Sequence, residues 1–366
     1  VIMIMSPLVI RLGAIAFGLM LSVAYIPGWT GASIPTGYLF LMFTLPIVLL
    51  FIKIPVTYFH LIGSLFLLYV CISLSWSLNF HIAFFILLQV LLAGMVFCLG
   101  SAIEDLTDLL KGVALGLGVS AVICILQWYK LDTWSYTNFG YPAGLFINPN
   151  LLCEFSAVML VSLIVFKLWY WLPVTLPGLI IVHSRAALLS LFVCLLIWLW
   201  KYSKFLFTIA VLLGIAFAAR SYSLDYLNFK SASIIERFAM WMDTARGLSL
   251  FGHGVGSFEL VFPKYAVNID VVQTTLKYPH NDWLQLAFEF GIVALIPLVL
   301  ILQILKIKND NRYILYSIGI ISLFSYPLHV PVIMFIGFLV AGNLTRLDDT
   351  SLDLWFYRRL PLSERV

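Results

Sequence analysis

The stretch LPVTLPGLIIVHSRAALLSLFVCLLIWLW, from Leu172 to Trp200, is apolar except at His183-Ser184-Arg185 near its middle. A helix that crosses a bilayer takes ~20 residues, so these 29 residues are long for one crossing and short for two. Pro173 and Pro177 oppose a single continuous helix. The stretch reads as two shortened helices that meet at a turn within or just below the membrane face. This choice decides on which side of the membrane every later loop emerges.

The surrounding sequence is of the same kind. Of 366 residues, 63% are hydrophobic and 10% charged, and the mean hydropathy is +1.05. A soluble domain carries ~25% charged residues, so this chain lacks the polar groups to cover a water-facing surface. Soluble, disordered, collagenous and disulfide-scaffold classes are excluded. A membrane β-barrel would alternate apolar and polar residues, whereas this sequence has long unbroken apolar runs. The expectation is an all-α polytopic transmembrane bundle of twelve spans near 8–27, 34–52, 55–74, 80–100, 112–129, 151–169, 172–182, 186–200, 205–219, 283–305, 313–326 and 328–343. The first run lacks a small-residue cleavage site and reads as a permanent span. With the N-terminus inside, most of the 21 basic residues fall on inside segments, including Lys201, Lys204, Lys306, Lys308 and Arg312, in keeping with the positive-inside rule. Were Leu172–Trp200 one span, those five would lie outside.

Residues 1–366 thus form a single integral membrane domain with one large outward-facing loop, 220–282, between spans 9 and 10. A smaller outward loop, 130–150, is rich in aromatics, among them Trp134, Tyr136, Phe139, Tyr141 and Phe146; interfacial belts are their common setting. The net charge of +4 is too small to argue for nucleic acid as a partner. Cys71, Cys98, Cys124, Cys153 and Cys194 lie in apolar runs without a C-x-x-C spacing and read as packing residues.

Chemistry has few places to sit. In the large loop, Ser233-x-x-Glu236 reads as a capping box opening a short amphipathic helix that ends at Gly247. Arg237, Trp241 and Thr244 share one face of it. An arginine beside an indole suits a sugar diphosphate; a helix lying on the membrane with Arg237 solvated explains the same pattern. Pro279-His280-Asn281-Asp282 precedes the tenth span, with Asn281 as N-cap. The helix dipole disfavours an imidazolium just outside the N-terminus, so His280 is either a neutral proton acceptor or a ring bonded to a loop carbonyl. Asp282, Gln285 and Glu289 share one face of that span, and such a stripe should avoid lipid. Arg185 is costly at its depth unless paired or solvated, and its planar fork matches phosphate oxygens; a snorkelling interfacial arginine is the plain alternative. Glu154 is a candidate partner for it, and the two could equally mark a transport path. Gly252-x-Gly254-x-Gly256 reads as a tight turn, because no strand precedes it and no Lys-Ser/Thr follows. The other histidines lack metal-ligand spacing, so neither a metal nor a cofactor is expected.

In chain order, Gly144-x-Phe146-x-Asn148-Pro149-Asn150, Ser184-Arg185-Ala186, Glu236-Arg237-x-x-x-Trp241, Phe251-Gly252-x-Gly254-x-Gly256 and His280-Asn281-x-x-Leu284-Gln285-x-x-x-Glu289-x-Gly291 form a pattern that resembles the O-antigen ligase/polymerase superfamily of bacterial envelope glycosyltransferases. The resemblance spans about residues 140–295. It implies transfer of a glycan from undecaprenyl diphosphate to an acceptor hydroxyl, such as one on lipid A-core, at the periplasmic face of the bacterial inner membrane. It matches Arg185 and Arg237 to diphosphate-contacting arginines and His280 to the general base. Arg220 and Arg246 are added by proximity in sequence, and Trp241, Asn281, Asp282, Glu289 and Asn150 as supporting residues. Ligation, glycan polymerisation and transfer onto protein share this core. A transporter or flippase, and a structural membrane protein, are the rival classes.

Overall fold

The computed structural model describes residues 7–23, 36–131, 141–146, 148–223, 226–269 and 277–347. Among them all regular structure is helical, with no strand. The first six helices are α1 (Pro7–Val23), α2 (Thr36–Leu49), α3 (Tyr58–Ser73), α4 (Phe80–Ala102), α5 (Thr107–Trp128) and α6 (Pro149–Val165). Then come α7 (Leu176–Val182), α8 (Arg185–Tyr202), α9 (Lys204–Ser223), α10 (Tyr226–Arg246) and α11 (Phe258–Val261). The chain closes with α12 (Asp282–Phe290), α13 (Leu295–Ile304), α14 (Arg312–Ile321) and α15 (Pro331–Leu347). Five segments, Tyr58–Trp76, Phe80–Ala102, Thr107–Trp128, Arg185–Tyr202 and Asp282–Ile304, are long and apolar enough to cross a membrane. Shorter apolar helices such as Pro149–Val165 and Arg312–Ile321 fall on other expected spans.

The polarity is that of a protein immersed in lipid. Phe51 is 84% exposed, while the carboxylic acid Glu154 is 1% exposed; a water-soluble surface would reverse the two. The main core joins residues of most of these helices, with Leu110, Phe155, Phe335 and Ile314 fully buried in it. Helices approach closely where a small residue allows it: a Cβ on Gly342 of α15 would lie 2.0 Å from the Phe97 carbonyl oxygen of α4.

Leu172–Trp200 is two helices, as its sequence suggests. A 3₁₀ segment over Trp169–Thr175 feeds the seven-residue α7, which stops at His183 in the left-handed conformation, φ 58°. α8 restarts at Arg185, and the Ser184 N–H donates to the Cys153 sulfur at 3.3 Å, which pins the turn on α6.

Two expectations are corrected. The helix in the large loop does not open at a Ser233 cap: α10 starts at Tyr226, so Ser233 is interior to it, and the intervening residues contain no breaker. The tenth apolar run, expected as one helix over 283–305, breaks at Gly291, φ 57°. There the loop backbone packs in: the Ile292 N–H donates to the Leu250 carbonyl at 2.9 Å, and a Cβ on Gly291 would lie 2.2 Å from that oxygen. Only glycine serves such a position without strain.

The bundle has two chemically different ends. Asp108 at the start of α5 binds Arg11 of α1 at 2.7 Å and Lys111 at 2.8 Å; Arg346 of α15 pairs with Glu104, and Lys201 at the end of α8 meets Asp310 at 3.4 Å. The opposite ends of the same helices carry the N-termini of α6, α8, α12 and α15 and the C-termini of α5 and α14. There the polar residues singled out in the sequence collect.

Candidate active site

α12 is placed by its own cap and by its first carboxylate. The Asn281 side chain accepts from the Leu284 N–H at 3.0 Å, satisfying one orphan donor of the helix start. His280, immediately before, has φ 52°. Two of the helices that begin beside the cluster, α8 and α12, are thus preceded by a left-handed histidine two residues upstream, His183 and His280. Such backbone is uncommon outside glycine, and it turns the chain sharply into each helix.

α10 is locked onto this turn by two bonds from one face. The Trp241 Nε1–H donates to the Pro279 carbonyl at 2.9 Å, and Arg237 Nη1 donates to the Phe324 carbonyl at 2.7 Å. The indole also packs on Phe324, ring centroids 5.9 Å apart. Arg237 and Trp241 therefore hold α10 against two separate loops, one before α12 and one after α14.

Four groups meet around Arg237. Burial lowers its basicity, the Glu154 carboxyl group works in the opposite direction, and the Arg185 guanidinium lowers it again; charges perturb each other in this way only at close range. His280 in turn is pushed down to about 4, first by burial and then by the positive charge of Arg237. Its imidazole is therefore neutral at pH 7 and able to accept a proton. Among the described residues the ring makes no hydrogen bond; it lies 5.1 Å from the ring of Tyr326. Tyr326 in turn hydrogen-bonds the side chain of Asn148, the N-cap of α6, and Ser325 bonds Glu154 from the same loop. Two guanidinium groups and a neutral imidazole beside a buried carboxyl group can hold an anion and remove a proton next to it.

Residues 173–299 match the family described as O-antigen ligase. No curated protein matches the chain. The match supports a ligase- or polymerase-type enzyme of that superfamily. The matched stretch contains Arg185, Arg237 and His280 but not the whole cluster. Asn148 and Glu154 precede it, and Phe324, Ser325 and Tyr326 follow it.

Of the other residues singled out in the sequence, Asp282 is buried and serves the loop after α14, with its carboxylate accepting from Ser322 Oγ at 3.2 Å and from the Leu328 N–H at 3.1 Å. Glu289 is also buried, but it holds the glycine-rich turn: it accepts from the Gly256 N–H at 3.0 Å and from Gln285 Nε2 at 3.1 Å. Gly252, Gly254 and Gly256 all have positive φ, and the Gly254 N–H donates to the Glu289 carbonyl at 2.9 Å, so the motif is a tight turn packed on α12. Asn150 is exposed on the first turn of α6; Asn148 is the one that reaches Tyr326. Phe146 is a core ring packed on Phe155, centroids 5.7 Å apart, and not part of an interfacial belt; Tyr141 is exposed, and Trp134, Tyr136 and Phe139 lie outside the described residues. So does the Arg220 side chain.

Arg246 does not join the cluster. It follows Arg237 by nine residues, which is half a turn away around an α-helix, and it binds the buried Asp243 at 2.7 Å. Asp243 also accepts from the backbone N–H groups of Val267 and Asn268 at 3.0 and 2.8 Å, so this pair secures the return of the loop. Because Arg246 is half exposed, Arg246→Ala is expected to cost about 0.2–1 kcal/mol of stability and to leave glycan transfer within about twofold of wild type, measured by thermal unfolding in detergent and by initial rates.

Proposed function

We propose that the protein is a twelve-span glycosyltransferase of the bacterial inner membrane, with loop 220–282 and the Arg237 cluster on the periplasmic side. It transfers a glycan from undecaprenyl diphosphate to an acceptor hydroxyl on lipid A-core. The observation that carries this is the meeting of Arg185 and His280 with Arg237, from three separate stretches of chain, each of the two within electrostatic range of Arg237. The ion pairs of Arg11, Lys111, Lys201 and Arg346 gather at the other end of the helices, which supports a cytoplasmic assignment for that end. Glu154, on the second turn of α6, lies within electrostatic range of Arg237 and so belongs with the cluster.

In the proposed reaction His280 takes the acceptor's hydroxyl proton as the oxygen attacks the anomeric carbon. The bond from that carbon to the diphosphate oxygen breaks, and the electron pair leaves on the diphosphate. Arg185 and Arg237 face the growing charge with preorganised donors, so neutralisation needs no metal. A single displacement inverts the anomeric centre. The test is transfer by the purified protein in lipid nanodiscs from undecaprenyl-diphosphate glycan. A single addition to lipid A-core supports ligation. A ladder of extended lipid-linked glycan assigns polymerisation, and modified peptide assigns protein glycosylation. No product with any acceptor would refute the proposal.

A further inference from the structure

His329 and Asp282 form a carboxylate–histidine pair that has no part in the reaction as written above. His329 Nδ1 lies 3.1 Å from Asp282 Oδ1, and the other carboxylate oxygen is held by Ser322 and Leu328. The Asp282 side chain is 4% exposed and that of His329 17%. A carboxylate fixed in this way orients the ring and sets its tautomer: Nδ1 carries the proton and Nε2 is left to accept one. Among the described residues nothing hydrogen-bonds Nε2.

The pair and His280 share Tyr326 as a neighbour. The Tyr326 ring is 5.1 Å from His280 and 6.4 Å from His329, and the Tyr278 ring is 4.4 Å from His329. The groups facing the two histidines differ in sign. His280 is buried beside the Arg237 cation. His329 has Asp282 in contact, Glu289 within electrostatic range, and the phenols of Tyr278 and Tyr326 around it. An imidazolium is disfavoured at the first position, whereas the second has a carboxylate in hydrogen-bond contact.

On the reading that His280 is the base, we propose that His329, oriented by Asp282, is the second station of the acceptor proton, receiving it from His280 and releasing it to water. His280 takes the proton as the acceptor oxygen bonds to the anomeric carbon and the diphosphate departs. The proton then passes through solvent to His329 Nε2, and His280 returns to its neutral form. Atoms and charge balance without a further reactant.

The experiment uses the full chain in nanodiscs with the lipid-diphosphate donor, comparing wild type, His329→Gln, Asp282→Asn and His280→Ala across a range of added imidazole. Asparagine at 282 can still accept from Ser322 and Leu328, so it keeps the loop while removing the charge. The expected result is a loss in kcat of roughly 10–100-fold in His329→Gln and Asp282→Asn, an unchanged donor KM, and recovery of His329→Gln by imidazole, which leaves wild type unaffected. Full kcat in either variant, or a loss in His329→Gln that imidazole does not relieve, overturns the proposal. If His280→Ala is inactive while His329→Gln is normal, the relay alone fails. If His280→Ala retains full activity, the base assignment fails and the relay with it.

Discussion

Replacing His280 with alanine is expected to lower glycan transfer by ~10²–10⁴-fold, the range that a positioned proton acceptor supplies, while donor affinity changes little. The two effects separate because the imidazole is neutral in the resting site and carries no charge for a diphosphate to feel. The ring is already free of a proton at neutral pH, since burial and Arg237 push it down to about 4. The base is lost only as pH falls through that value, so the acid limb of kcat/KM is expected near pH 4 and not at the ordinary imidazole value. Bound diphosphate places negative charge beside Arg237 and offsets its repulsion of the imidazolium. The limb in kcat therefore moves to higher pH than the limb in kcat/KM. Initial rates from pH 3.5 to 8 in wild type check both positions. An acid limb that survives His280→Ala would assign it to another group.

Arg237→Ala is the second large effect. This guanidinium is half-buried, already donates to the Phe324 carbonyl, and interacts electrostatically with both His280 and Glu154. Its removal withdraws a preorganised cation from a site where solvent screens poorly, and mutations of this kind cost ~10²–10³-fold in kcat. Arg237→Lys keeps the charge but loses the planar fork, so partial activity is expected. Arg185 is exposed at the start of α8, and solvent screening reduces the expected loss in Arg185→Ala to about tenfold or less. Donor-saturation curves for the three variants, with unfolding temperatures as a control on integrity, distinguish these outcomes. Equal rates for Arg237→Ala and wild type would remove the arginine from the reaction.

What the sequence displays is local. Apolar runs locate the helices, the His183-Ser184-Arg185 break marks the turn between α7 and α8, and Asn281 marks the start of α12, because each depends on a few neighbouring residues. Arg185, Arg237 and His280 were identifiable as polar residues in costly or exposed places. Their pairings were not: Glu154, expected beside Arg185, meets Ser325 and Arg237, and Asp282 meets His329, across long separations that leave no periodicity. Glu289 looked like part of a cavity-facing stripe, yet its partner is the Gly256 N–H of a turn that only the folded chain brings near. Asn150 and Asn148 are two residues apart, and only the position of Tyr326 distinguishes them. The break at Gly291 has the same origin, since the loop backbone that forces it comes from Leu250.

The account rests on two guanidinium groups holding one diphosphate. The direct measurement is equilibrium binding of undecaprenyl diphosphate to the nanodisc-embedded protein for wild type, Arg185→Ala, Arg237→Ala and the double variant. Each single change should weaken binding, and the double should depart from the product of the two losses, because groups that share a ligand couple. Unchanged affinity in the double variant would contradict the account.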